Sequence, residues 1–245
     1  MKRIPAGIKL SVSFICFSAL LIALLLAFSG FARQVKEKAL SDPLSASPTV
    51  TVVLDAGHGG EDGGAVGQNG ALEKDLNLTL TNLIADALRK KGVSVALTRT
   101  EDILLYDRNV DYQGRKKLLD LAARLKVARN TENAVFVSIH MNSFPQTQYR
   151  GLQVYYSKNH PASATLAEKI QTTVRKGLQP ENTRKTKAAS GNIYLLDRIT
   201  SPAVLVECGF LSNAEECVLL SDPAYQKQMA AIIADAIADY IAAHP

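Results

Sequence analysis

The sequence predicts an α/β fold: a mainly parallel twisted sheet with helices on both faces, preceded by an N-terminal membrane anchor or signal segment. Three observations carry this prediction. From residue 50 to the C-terminus, apolar runs of strand length alternate with stretches of helical periodicity, the pattern of βαβ units. Several of those runs are continuously apolar, as in strands covered by helices. An uncharged apolar stretch of spanning length comes before them all.

That stretch runs from Leu10 to Ala32, LSVSFICFSALLIALLLAFSGFA. A spanning helix needs about 20 apolar residues, whereas the apolar part of a cleaved signal is usually about 7–15. Length therefore favours an anchor, and GFA before Arg33 keeps cleavage open. Lys2, Arg3 and Lys9 flank one end and Arg33, Lys36 and Lys38 the other, so charge does not fix orientation. Either way, residues 1–32 are an address that places the body outside the cytoplasm, membrane-anchored or secreted. Residues 33–49, RQVKEKALSDPLSASPT, read as a linker, and residues 50–245 as one catalytic domain.

Within that domain, TVTVVLDAG (49–57) is a buried strand ending in a turn. Leu72, Leu76, Leu80, Leu83, Ile84, Ala87 and Leu88 recur at helical spacing up to Lys91, and Gly92 ends the helix. VSVALTR (93–99) is the next strand, and Lys116 to Asn130 an amphipathic helix. AVFVSIH (134–140) and GLQVYYS (151–157) are strands, and Ala162 to Leu178 a helix. Asn192 to Leu196 is read as a short strand, PAVLVECGF (202–210) as a buried one, and Pro223 to Ala243 as a closing helix.

Composition removes several classes of function. Hydrophobic residues make up 47% and charged residues 21%, so the chain can build a core and is not disordered. Tryptophan is absent, so the core is aliphatic. The net charge is +5, but no basic run interleaves with aromatics, which argues against nucleic-acid binding. Cys16, Cys208 and Cys217 are too few for a disulfide scaffold, and C-x-x-C does not occur. Cys208 and Cys217 read as buried free thiols, with pairing in an oxidising compartment as the alternative.

The polar residues at strand ends carry the chemistry. In parallel sheets, sites gather beyond the carboxyl ends of strands. His58 follows the first strand, His140 ends the third, and Glu207 lies near the end of the last. His160, before a proline, and His244, beside the C-terminus, read as solvated. The stretch LDAGHGGEDGGAVGQNGALEKDLNL is glycine-rich but holds no nucleotide-loop pattern. It has the length and freedom to bring Glu73 back to His58, although an acidic residue in a helix's first turn is equally explained by the dipole. Two imidazoles and a carboxylate suit a catalytic zinc, leaving a position for a water whose pKa falls towards ~7. Glu207, a carboxylate in the apolar run VLVECGF, then suits proton transfer; strand alternation turns Cys208 to the other face. No G-x-S-x-G elbow occurs.

These residues resemble the zinc-dependent N-acetylmuramoyl-L-alanine amidases of bacterial cell walls, amidase type 3. The matching pieces are the glycine-rich stretch above, SIHMNS (138–143), GLQVYYS (151–157) and PAVLVECGFLSN (202–213), in order. The resemblance implies a phosphorylase/hydrolase-like fold, zinc on His58, Glu73 and His140, and Glu207 as the catalytic glutamate. It implies cleavage of the amide joining N-acetylmuramic acid to L-alanine, with peptidoglycan as partner and an activator protein as a further one. The short form and the segment DRNVDYQGRKKLLDLAARL (107–125) are most similar to the germination-specific, sporulation type, which implies spore-cortex peptidoglycan and the forespore intermembrane space. A zinc peptidase cutting within the stem peptide, a membrane-tethered wall-binding protein and an anion-binding glycine loop are the alternatives. Asp55 either orients a histidine or caps its turn. Arg150, Lys187 and Arg198 are read as solvated charge, with stem-peptide carboxylates as the alternative.

Overall fold

The structure is a computed structural model that describes residues 22–34, 49–109 and 111–244. The chain divides into two units, Met1–Ser47 and Pro48–Pro245. Most of the expected anchor or signal, and residues 35–48 of the expected linker, lie outside the described residues. Residues 22–34 are helical and exposed. Among the described residues, no helix is long and apolar enough to cross a membrane.

The second unit runs β1 (Thr51–Ala56), α1 (Glu73–Lys90), β2 (Ser94–Leu97), α2 (Lys116–Asn130), β3 (Ala134–Asn142), β4 (Gln153–Tyr156), α3 (Ala162–Gly177), β5 (Lys187–Ala188), β6 (Ala203–Phe210), α4 (Ala214–Ser221) and α5 (Pro223–Ala243). The six strands lie in the order β2-β1-β3-β6-β4-β5. β2, β1, β3 and β6 are mutually parallel, and β4 runs antiparallel to β6. The mainly parallel sheet therefore ends in two reversed strands, β4 and β5, on the far side of β6.

Helices cover both faces unequally. On one face, α1, α3 and α5 bury Leu80, Ile84, Ile170, Val174, Ile233 and Ile237 against Val52, Val137, Val204 and Val206. Cys208 and Cys217 belong to this core, and both are free thiols. On the other face α2 supplies Leu125 and Ala128 over Val53, Phe136 and Leu205. The helix ends follow local chemistry. Glu73 and Asp75 sit in the first turn of α1, Arg89 and Lys90 in its last, as the dipole favours. The Asp222 carboxylate accepts from Ala224 N to cap α5, where Pro223 opens the helix.

Three elements differ from expectation, the first being the two-residue strand β5, which was not expected. Residues 192–198 form turns, not a strand. Leu195 and Leu196 are both buried, and a strand cannot turn adjacent side chains to one core. The Leu196 carbonyl accepts instead from Ser157 Oγ at 2.6 Å and Asn159 Nδ2 at 3.3 Å. The helix α4, not expected, is short and begins where Asn213 accepts from Glu216 N.

Leu80 is 1% exposed at the centre of the larger core. Leu80→Ala is expected to cost about 2–5 kcal/mol of unfolding free energy, read from denaturant melts.

Candidate metal centre

Register and alternation gather the polar residues on one face. Asp55 lies beside Ser138, Ser138 beside Leu205, and His140 beside Glu207. Along each strand, residues two apart share a face, so Val53 leads to Asp55, Phe136 to Ser138 and His140, and Leu205 to Glu207. The face that α2 covers is thus apolar at the strands' start and polar at their carboxyl ends. There it lines a cavity of about 260 Å³ with His58, His140, Glu207, Arg124, Tyr194 and Ser138 among its walls.

The β1–α1 loop brings the remaining groups to this point. His58 holds φ +62°, a conformation unusual for a residue with a side chain. Gly57 before it leaves no room for one: a Cβ there would stand 2.2 Å from His140 Cε1. Gly64 does the same for the carboxylate, since its Cβ would meet Glu73 Oε2 at 2.5 Å. Two buried arginines fasten the loop by its carbonyls. Arg99 donates to Ala56 O and Gly57 O, and Arg124 to Ala56 O and His58 O.

Glu73 is buried and bonded on every side. Its Oε1 lies 3.0 Å from His140 Nδ1 and 3.2 Å from His58 Nε2, and it accepts from Met141 N at 3.2 Å. Asn77 Nδ2 donates to the same oxygen, and Ala65 N to Oε2. Burial works to raise the Glu73 carboxyl, but the bonds from His140 and His58 outweigh it and hold the group well below its ordinary value. Burial likewise opposes protonation of His140, and Glu73 reverses that, raising its value. One ligand atom from each of His58, Glu73 and His140 falls within 4.8 Å of the others. Two imidazole nitrogens and a carboxylate oxygen, held by glycine-made space and backbone donors, suit a divalent cation of borderline softness.

Glu207 stands apart from this trio. Its Oε2 is buried with no hydrogen-bond partner among the described residues. Burial pushes its carboxyl up to about 7, and the Glu73 charge adds to this while His140 and His58 pull it back. A carboxyl in that range both takes and gives a proton near neutral pH.

The other residues singled out by sequence fall elsewhere. Asp55 touches no histidine: it accepts from Thr98 Oγ1, Ser138 Oγ and Arg124 Nη1. The neighbour of His58 is Asp62, whose Oδ1 lies 3.0 Å from Nδ1 but off the line of a ring N–H bond. Arg150 meets exposed Glu215, Lys187 is exposed, and Arg198 lies over the Tyr194 ring at 4.0 Å. His160 and His244 lie outside the cluster. Sequence reasoning passed over Asp62, Asn77, Arg99 and Arg124. For Arg124 a signal was present, since it stands four residues after Asp120 on the apolar side of α2.

A family profile described as N-acetylmuramoyl-L-alanine amidase matches residues 52–239, which include all four of His58, Glu73, His140 and Glu207. The chain belongs to this amidase family. It is 37% identical, over 86% of its length and 86% of the relative's, to the germination-specific N-acetylmuramoyl-L-alanine amidase of Bacillus subtilis strain 168. It superposes on the CwlD amidase of Clostridioides difficile, solved in complex with the GerS lipoprotein, with a TM-score of 0.75 and 38% identity, covering 80% of this chain and 100% of that one. The catalytic domain of CwlV, an N-acetylmuramoyl-L-alanine amidase of Bacillus (Paenibacillus) polymyxa var. colistinus, matches with a TM-score of 0.65 and 34% identity over 79% and 99% of the two chains.

Two outcomes follow for the site's frame. Gly57→Ala is expected to push the His140 ring out of place, lowering metal affinity by at least about tenfold, with the melt shifted much less, in a competition titration with a coloured chelator. Burial alone would raise the Asp55 carboxyl, but Arg124, Ser138 and Thr98 hold it below its ordinary 3.8. Its pairing therefore stabilises the fold above about pH 4 and is lost as pH falls through the lowered folded value. Asp55→Asn is expected to cost about 3 kcal/mol near pH 7 and to flatten the acid limb of stability against pH.

Proposed function

We propose that the chain is a zinc-dependent hydrolase that cleaves the amide between N-acetylmuramic acid and L-alanine in peptidoglycan. The observation that carries this reading is the donor trio beside an unpartnered carboxylate: His58, Glu73 and His140 converge within 4.8 Å, and Glu207 Oε2 faces the same cavity without a bond of its own. His58, Glu73 and His140 would hold the metal. When bound there, zinc supplies a Lewis acid that polarises the scissile carbonyl and makes a water more acidic.

The chain's own residues then divide the work. Glu73, fixed by Ala65 N, Met141 N and Asn77, keeps both imidazoles turned inward. Glu207 takes a proton from the attacking water at Oε2 as the new C–O bond forms. It returns that proton to the alanine nitrogen as the C–N bond breaks. A cation beside it would draw the Glu207 carboxyl below about 7, which favours the ionised form that this step needs. The turns at 192–196 close one side of the cavity with Tyr194 and Leu195, limiting water beside the reacting amide.

The substrate is spore-cortex peptidoglycan on this reading, supported by the 37% identity to the germination-specific amidase. The relative solved with a lipoprotein supports a lipoprotein activator for this chain too. The apolar run Leu10–Ala32 supports a body held at the extracytoplasmic face by a membrane segment, with residues 33–49 as linker and 50–245 as the catalytic domain.

Digestion of purified cortex, with products weighed by mass spectrometry, tests the bond cut: a free lactyl carboxylate with an intact stem peptide is expected, and cleavage inside the stem would make the chain a peptidase. Glu207→Gln is expected to retain one zinc per chain and lose at least about a thousandfold in kcat. His140→Ala is expected to lose the zinc, read by metal analysis after gel filtration; full occupancy would remove His140 from the ligand set.

A further inference from the structure

One surface patch remains unused by the reading above. Phe144 and Tyr149, on the loop between β3 and β4, are 43% and 42% exposed, which is high for aromatic rings. They are not loose. Their rings meet edge to face at 5.7 Å, and both pack on the fully buried Phe210, which ends β6. Phe144 N donates to Ser212 Oγ at 3.0 Å, and Asn213 Nδ2 to Thr147 O at 2.9 Å, pinning the loop. Aromatic faces held in place by a buried third ring form a ready contact surface.

The patch is tied to the catalytic face. Arg184 lies over Phe210 at 4.4 Å and Tyr149 at 5.5 Å. The same guanidinium donates to Gln153 Oε1 at 3.0 Å, and Gln153 stands directly opposite Glu207 in the antiparallel pairing of β4 with β6. Its Nε is taken by Arg150 O, and its Nη2 has no acceptor among the described residues. Glu207 pairs with His140 and Phe210 with Asn142, so across the irregularity in β6 the two are about 7 Å apart along the strand direction. That is about the span of one sugar ring from Glu207.

We propose that Phe144 and Tyr149, backed by Phe210 and flanked by Arg184, form a saccharide subsite that holds the glycan strand beside the amide being cut. The chemistry matches a pyranose better than a peptide. A sugar ring presents an apolar C–H face to the aromatic rings and directs its hydroxyl and acetamido oxygens outward, where the free Arg184 N–H donates. Of the two arginines beside the rings, Arg150 is paired with Glu215, and Arg184 is turned onto the aromatic faces. The proposal deepens the amidase reading and rests on it for the identity of the glycan.

The test separates the two. The probe is soluble glycan of alternating N-acetylglucosamine and N-acetylmuramic acid stripped of peptides, so no amide can be cut. Calorimetric titration of the whole chain is expected to show binding that weakens at least tenfold in Phe144→Ala/Tyr149→Ala. Tyr149→Trp keeps a ring face and adds a tryptophan to a chain that has none; it is expected to retain affinity and to shift its emission as glycan is added. Equal affinity of the double variant and the unaltered protein overturns the subsite, as does a Tyr149→Trp variant whose emission ignores the glycan. Hydrolysis of intact muropeptide is measured alongside: glycan binding without amide cleavage sinks the amidase reading and leaves the subsite standing.

Discussion

Arg124 lies almost wholly out of water between two carboxylates, donating from Nε to Asp120 at 2.7 Å and from Nη1 to Asp55 at 2.7 Å. A guanidinium buried alone would be very costly. Here both flanking carboxylates are themselves fixed, Asp55 by Thr98 just after β2 and Ser138 on β3, and Asp120 by accepting from Leu105 N. The cation thus joins β1, β3, α2 and the segment after β2 at one point. Its remaining donors go to the carbonyls of Ala56 and His58, where the backbone turns into its strained conformation. The charge that organises the centre lies beneath it and touches no reacting atom.

That arrangement explains the rigidity of the centre. His58 is held from behind by its carbonyl, Glu73 by three backbone and side-chain donors, and His140 by the strand it ends. The imidazoles thus meet a carboxylate whose position is set independently of either of them. Glu207 keeps an unanswered carboxylate oxygen, and it does so from an apolar strand that raises its proton affinity. On the proposed reading, rigid donors beside one poorly solvated acid divide holding from reacting.

Much of this was legible in the sequence. The helices Pro223–Ala243 and Lys116–Asn130 were legible from their helical patterns, and the buried strands from their unbroken apolar runs. His58, His140 and Glu207 were readable as strand-end residues, because parallel topology fixes where strands finish. Glu73 was not readable from spacing, since its approach to His58 depends on a loop whose path is set by Arg99 and Arg124 from elsewhere in the chain. The role of Asp55 stayed open for the same reason: its partners are 43, 69 and 83 residues away. The turns at 192–198 imitated a strand because their apolar residues fill a core, and a core can be filled without alternation.

The unequal covering of the sheet has a further meaning. Helices α1, α3, α4 and α5 seal one face, while α2 alone covers the start of the other and leaves its far half to loops. Folding stability therefore resides mainly on the side that never meets substrate. The loops at 143–151 and 190–199 can change length or composition at little risk to the core behind the sheet. Descendants of such a chain are free to drift towards new wall chemistries by remodelling one surface, while the opposite surface keeps the protein folded throughout.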